Sequence, residues 1–232
     1  SEKRPLMLDG AMGTMLQAQG LNDTDFNRGI FANHPTPLKG DNDVLCITRP
    51  DAVKAVHKAY LDAGADIIET NTFNSNAISQ ADYGLQDRVY ELAYAGAKIA
   101  REAADEAEAA TPDKPRFVAG SMGPTGRTAS MSPSVDDPAA RNVTFDELAG
   151  TYQIQAEALI DGGADLLLVE TIFDTLNAKA AVYGIQKAMG TRNTRIPVML
   201  SATLSDASGR MLAGQSAEAF LISVLHTEEL LS

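Results

Sequence analysis

Three acidic residues stand where apolar runs end: Asp9 after residues 6–8, Glu69 after Ile67 and Ile68, and Glu170 after residues 166–169. Any one of them could cap a helix or pair with a cation on a rim. Three at the ends of successive buried runs point to a common mouth, because chemistry in an α/β barrel collects at the C-terminal ends of its strands. Two carboxylates meeting in one pocket suit an ammonium group, which brings three donors and a positive charge. Spacing alone allows proton transfer equally. Ser201, with Thr203 and Ser205, accompanies a further apolar run and could bind a carboxylate. The run GSMGPTG at 120–126 could hold an anion on backbone N–H groups or simply turn the chain.

Other reactive residue types are sparse. His34, His57 and His226 show neither i, i+4 nor HxH spacing, so no histidine metal site is expected, and His57 reads as a surface or packing residue of a helix. Cys46 is the only cysteine, which excludes an internal disulfide and a multi-cysteine metal site within the chain. Inside VLCIT it reads as a small buried hydrophobe.

The elements that must position the acids follow from pattern. The segment ADLLLVETIFD (164–174) is an apolar run suited to a strand buried on both faces. It echoes an earlier one: DAGADIIETNTF (62–73) against DGGADLLLVETIF (161–173), each a helix end, Gly, Ala-Asp, strand, Glu-Thr, loop. Strands are expected at 6–8, 66–71, 116–121, within 164–174 and at 197–204. Helices are expected at 50–63, 87–110, from the Thr144/Glu147 capping box, at 177–189 and from Ser216 with Phe220, Leu221, Val224 and Leu225 on its apolar face. Residues 17–43 and 72–84 read as irregular loops. Five strands alternating with helices mean a parallel sheet. Neither GxGxxG after the first strand nor a P-loop occurs, so the expected class is α/β, a (β/α)8 TIM barrel with about five of eight units present, residues 1–232 forming part of one domain.

Composition narrows the partners. The chain of 232 residues is 44% hydrophobic and carries a net charge of −12 without a block of Lys or Arg. Phosphate neutralisation needs clustered cations, so nucleic acid is not expected. No run approaches the ~20 apolar residues of a membrane helix, and no signal peptide core opens the chain, so the cytoplasm is the expected compartment.

At this point the motifs become specific. LMLDGAMGTMLQ, ADIIETNTFNSN, FVAGSMGPTGRTAS, ADLLLVETIFDTLNAKAA and SDASGRMLAGQ resemble, in order and across essentially the whole chain, the homocysteine-binding module of cobalamin-dependent methionine synthases, within the homocysteine S-methyltransferase family. That resemblance implies a TIM barrel and methyl transfer to homocysteine from methylcobalamin on another module. It also implies a zinc ion held by three cysteine thiolates, and folate, cobalamin and activation modules as partners. It assigns Asp9 and Glu170 to the amino-acid end of homocysteine, with Gly10 beside Asp9; Glu69 and Ser201 join them as candidates on position. The zinc cysteines of the family lie on later strands, and this chain closes in HTEELLS, so it is expected to lack the metal ligands and to be inactive alone. The alternatives are a zinc-free binding or scaffolding protein derived from that module, a fragment of a betaine-type homocysteine S-methyltransferase, and an unrelated half-barrel using Asp9, Glu69 and Glu170 for acid–base chemistry. Unpaired sheet edges on the first and fifth strands would invite self-association or the remaining barrel strands.

Overall fold

Four of the apolar runs become parallel strands: β1 (Ile67–Glu69), β2 (Phe117–Met122), β3 (Leu166–Ile172) and β4 (Val198–Ala202). They lie in the spatial order β1-β2-β3-β4, so each strand pairs with its sequence neighbour. Such an order is how a barrel winds; a doubly wound sheet reverses direction part-way. The computed structural model describes residues 4–205 and 207–227. Nine α-helices are described: α1 (Met12–Ala18), α2 (Asp23–Phe26), α3 (Leu45–Thr48), α4 (Pro50–Ala63), α5 (Ala77–Gln80), α6 (Val89–Ala110), α7 (Phe145–Gly162), α8 (Thr175–Arg192) and α9 (Ala217–Val224). None of them is long and apolar enough to cross a membrane.

Strand alternation divides the side chains between two faces. Ile68, Val118, Leu167 and Val169 pack outward against Ala93, Ala97 and Ala100 of α6 and Tyr152, Ala156 and Leu159 of α7. Ile67, Ala119, Leu166 and Leu168 fill the inner face. Continuing that inner face toward the strand ends gives Glu69, Ser121 and Glu170. Burial on both faces is what the continuous apolar runs require.

The sequence repeat has a structural purpose beyond its glycines. Gly64 and Gly163 end α4 and α7 in the left-handed conformation, at φ 109° and 99°. The Asp two residues later reaches back to the preceding strand. Asp165 Oδ2 accepts the Val118 N–H (2.7 Å) and an Arg101 guanidinium N–H (2.7 Å). Asp66 does the same one unit earlier, accepting the Met7 N–H (2.8 Å) and a two-pronged contact from Arg4 at 2.7 Å each. The Arg4 guanidinium holds the Asp66 carboxyl well below the usual carboxylate range.

Four expectations are corrected. Residues 6–8 form no strand, only a single bridge between Leu8 and Ile67. The Met7 N–H goes to the Asp66 carboxylate and the Met7 carbonyl takes both Asp66 and Ile67 N–H groups, so no regular ladder develops. Leu6, Met7 and Leu8 accordingly lie exposed on the sheet's rim. Residues 17–43 are not irregular throughout: α2 and two 3₁₀ turns fold over a second small core of Leu16, Phe26, Phe31, Leu38 and Leu45 against Val53 and Val56 of α4. Likewise residues 72–84 contain α5. On α9, which packs on α8, Val224 is buried and Phe220 half-buried, but Leu221 and Leu225 face solvent.

The repeated Asp makes a checkable claim. Replacing Asp66 by Ala removes the carboxylate that accepts the Met7 N–H and the Arg4 pair, and losing these hydrogen bonds to a charged group should cost about 1–3 kcal/mol in urea unfolding. Its folded pKa is depressed, so this contribution is complete above the unfolded carboxyl value of about 4 and fades as pH falls below it. A midpoint unchanged at pH 7 would contradict the role given to Asp66.

Candidate active site

At the C-terminal ends of the strands the inner face opens into a cleft of about 390 Å³, lined by Gly10, Asn42, Glu69, Asn71, Ser121 and Glu170 among others. Among the described residues, no Lys, Arg or His lines it. Asp9, on the bridged segment, adjoins Glu69 beside the cleft: its N–H donates to the Ile67 carbonyl (2.9 Å), and its Oδ2 accepts the Glu69 N–H at 3.0 Å. Its other oxygen is buried without a partner among the described residues. Gly10 follows at the rim, and the Tyr60 hydroxyl steadies this turn by donating to the Ala11 carbonyl at 3.2 Å.

Glu170 is placed by an irregularity. Val169 pairs with Leu200 and Ile172 with Ala202, so Glu170 and Thr171 together oppose Ser201. This is a β-bulge, and it puts Thr171 at φ 56°, a left-handed value unusual for a β-branched residue. The Ser121 hydroxyl donates a very short hydrogen bond to Glu170 Oε1. Ser121 in turn is clamped: its N–H donates to Thr70 Oγ1 (2.9 Å) and its carbonyl accepts the Thr72 hydroxyl (2.7 Å). The two threonines that follow Glu69 in ETNT thus lock β2 and aim Ser121 at Glu170.

The electrostatics are those of crowded, half-buried acids. Burial, with the neighbouring Glu170 charge, pushes Asp9 up to about 7. Burial together with the Glu170 and Asp9 charges pushes Glu69 up to about 8. Burial also raises Glu170, against the Ser121 hydroxyl that favours its ionised form. Near neutrality the cleft therefore holds protons that a cation could displace.

Of the candidates, Asp9, Gly10, Glu69 and Glu170 come together. Ser201 does not: it is exposed on β4 opposite the bulge and does not line the cleft. Residues 120–122 belong to β2, and Gly123 donates its N–H to the Phe73 carbonyl (3.0 Å) rather than standing in an open anion loop. Ser121 was legible from its alternation with Phe117 and Ala119. Asp41 and Asp43, on the second small core, carried no pattern that marked them. Asp43 reaches the cleft while accepting the Asn74 N–H (2.9 Å) and Ser75 hydroxyl (2.7 Å), and Asp41 accepts the Gln80 amide (3.1 Å). Burial raises both acids, Asp41 to about 6, and the Asp41 charge raises Asp43 further.

The residues present do not fit a zinc ion. Cys46 is buried on α3, its thiol donating to the Asn71 carbonyl (3.2 Å), and burial pushes that thiol far above its ordinary range. His57 is fully buried on α4, a packing residue, and burial lowers it to about 4. His34 Nε2 is engaged with the Tyr83 carbonyl (2.7 Å). Among the described residues no group of three His, Cys, Asp or Glu side chains could hold a metal. The cleft has the size of an amino acid, so a corrin macrocycle would not be housed in it.

Comparison with known proteins agrees with this architecture. The sequence model of homocysteine S-methyltransferase matches residues 6–232. The chain is similar to the homocysteine methyltransferase MmuM from Escherichia coli in its metallated form, with 23% identity, 97% of this chain and 72% of that chain covered, and a TM-score of 0.71. It is similar to the oxidised form of that enzyme at 23% identity, with 98% and 72% covered and a TM-score of 0.72. For the apo form the values are 22%, 97%, 70% and 0.65. At such identity these likenesses establish the TIM-barrel-type fold.

The cleft's raised acids set a pH dependence opposite in sign to that of Asp66. An acid whose folded pKa lies above its unfolded value contributes stability that is full below about pH 4 and is lost as pH rises through the folded value, here near 7 to 8. Glu69→Gln should therefore raise the melting temperature at pH 9, by about 2–4 °C per kcal/mol of repulsion relieved, and leave it nearly unchanged at pH 5. Thermal unfolding followed by circular dichroism decides it; an equal shift at both pH values would contradict the assignment.

Proposed function

The chain belongs to the homocysteine S-methyltransferase family, and on that premise we propose that its cleft holds the amino-acid end of homocysteine for methyl transfer to the sulfur. One observation carries this reading: Glu69 and Glu170 line a cleft that no cationic side chain lines among the described residues, and Asp9 adjoins them through its bond to the Glu69 N–H. An ammonium supplies the missing charge and three donors for their oxygens. Glu170, held by Ser121, and Asp9, held by the Glu69 N–H, offer fixed acceptors. Asn42, Asn71 and Asn74, half-buried or buried in the wall of the cleft, offer neutral polar groups to the carboxylate of the same amino acid. Binding of this kind orients the substrate and leaves its sulfur free to react.

The finer reading is the homocysteine-binding portion of a methionine-synthase-type enzyme. Its support is the run of motifs from LMLDGAMGTM to FDTLNAKAA. The methyl donor would then be methylcobalamin borne on a separate module. The zinc thiolates of that scheme would not come from the residues described here, and no step is assigned to them. The compartment would be the cytoplasm, where thiols stay reduced. Association follows from the sheet: the outer side of β4 meets no strand among the described residues, with Met199 exposed along it, and residues 6–8 form the opposite rim. Further barrel strands or a second copy would pair these edges.

Isothermal calorimetry tests the ammonium reading. L-Homocysteine and L-methionine should bind, N-acetyl-L-methionine should not, and Asp9→Asn or Glu170→Gln should each weaken binding by roughly 10–100-fold, as expected for hydrogen bonds to a charged group. Equal affinity for the acetylated ligand would sink the proposal.

A further inference from the structure

The sheet-facing stripe of α7 carries one residue out of pattern. Leu148, Tyr152, Ala156 and Leu159 follow helical spacing and are buried, and Gln155 lies among them, 0% exposed. An apolar side chain is what such a stripe calls for. Gln155 instead sends its amide to the strand ends: Nε2 donates to the Thr72 carbonyl at 2.8 Å and, more weakly, to the Ser121 carbonyl at 3.4 Å. Two carbonyl acceptors on one nitrogen fix how the amide is turned. Its Oε1 is buried and has no partner among the described residues. An amide oxygen buried without a donor costs free energy, so Gln155 is kept in the core against that penalty.

Neither carbonyl needs Gln155 for its own satisfaction. The Thr72 carbonyl also accepts the Ser75 N–H (3.0 Å), and the Ser121 carbonyl accepts the Thr72 hydroxyl (2.7 Å). That hydroxyl has one proton to give, so across the 2.6 Å contact between the two threonines Thr70 is the donor. The bonds then run one way round a closed ring, from the Ser121 N–H through Thr70 and Thr72 back to the Ser121 carbonyl. This ring joins the exit of β1 to β2 and contains no group from a helix. Gln155 supplies the missing anchor by holding both carbonyls onto α7. One turn earlier on the same helix, Thr151 Oγ1 accepts the Ala77 N–H at 2.6 Å. The segment 72–77 is therefore gripped by α7 at both ends, and its Phe73 and Asn74 line the cleft.

We infer that Gln155 is a positioning residue for the cleft: through the Thr72 and Ser121 carbonyls it fixes the end of β2 against α7, and with it the Ser121 hydroxyl against Glu170. That hydroxyl donates to Glu170 Oε1 and favours the ionised carboxylate. Without Gln155 the ring stays satisfied but is free to shift as a unit, carrying the hydroxyl away from its place beside β3. A buried polar group that satisfies nothing otherwise unsatisfied, and leaves its own oxygen bare, is explained by what it holds in place. The ammonium reading enters only in giving Glu170 a ligand to hold; the contacts of Gln155 do not depend on it.

Two measurements on the ligand-free protein test this, so that failure of the substrate reading stays separately visible. Gln155→Met keeps the side chain's length, removes the donor and the bare oxygen, and strands neither carbonyl, so the fold should survive it. Carboxyl carbon NMR should nevertheless show the Glu170 titration moved up by about 0.5–1 unit, as a loosened hydrogen bond to a charged group requires. Gln153→Met, on the same helix, breaks only a contact with Glu157 (2.9 Å) and should leave the Glu170 titration in place. The second measurement needs no variant: in the wild type the side-chain amide signals of Gln155 should shift as Glu170 is titrated. An unmoved Glu170 in Gln155→Met, an equal movement in Gln153→Met, or Gln155 signals indifferent to the Glu170 titration would each overturn the inference. Where Gln155→Met does not fold, the wild-type amide signals decide alone.

Discussion

Half-buried carboxyl groups that share a cleft resist ionising together near neutrality unless a cation joins them. That constraint organises this molecule: Asp9, Glu69 and Glu170 arrive from three different segments, are half-buried, and meet no Lys or Arg among the described residues. Inside a medium of reduced dielectric their mutual repulsion is expressed as raised pKa values, and the protons they retain mark a place where positive charge is wanted. Groups perturbed by burial and by one another within a concave site are the usual physical signature of binding or catalysis. The acids cost the fold stability, and the rest of the chain has to hold them in place against that cost.

Two devices hold them. The first is the reach-back aspartate of the repeat. Asp66 and Asp165 sit at the start of strands whose other ends carry Glu69 and Glu170; Asp66 takes an N–H from the bridged segment 6–8 and Asp165 one from β2. One strand therefore carries a carboxylate at both ends, the first for register and the second for the site. The second device is the Thr70–Ser121–Thr72 clamp with the β3 bulge, which brings a hydroxyl from β2 onto a carboxylate from β3. The pH slopes of the two sets are opposed, since the surroundings of Asp66 favour its ionised form while those of the cleft acids disfavour ionisation.

Much of this was legible in the sequence. The continuous apolar runs placed β1 to β4 and their order, because a strand buried on both faces has little freedom in composition. The recurrence of Gly-Ala-Asp ahead of Glu-Thr located both acids, and the Thr144/Glu147 capping box forms at the start of α7 as read. Residues 6–8 misled because an apolar run was taken to imply a ladder, whereas its N–H is captured by a side chain 59 residues away. Residues 17–43 misled for another reason: Gly and Pro signal turns, but the short helices there are stabilised by packing on α4 that local pattern does not encode. Ser201 stands on β4 across the bulge from Glu170 and Thr171, outside the lining of the cleft. Asp41 and Asp43 were invisible because only tertiary contact with residues 74–80 reveals that they are buried together.

The central claim is that the cleft exchanges protons for an ammonium group, and proton inventory tests it most directly. Calorimetric titration of L-methionine at pH 7, repeated in buffers of different ionisation enthalpy, reports the number of protons released on binding. The account predicts net proton release near neutrality, shrinking at pH 9 where Asp9 and Glu69 are already ionised. Binding with no proton exchange at either pH, or with proton uptake at pH 7, would contradict it.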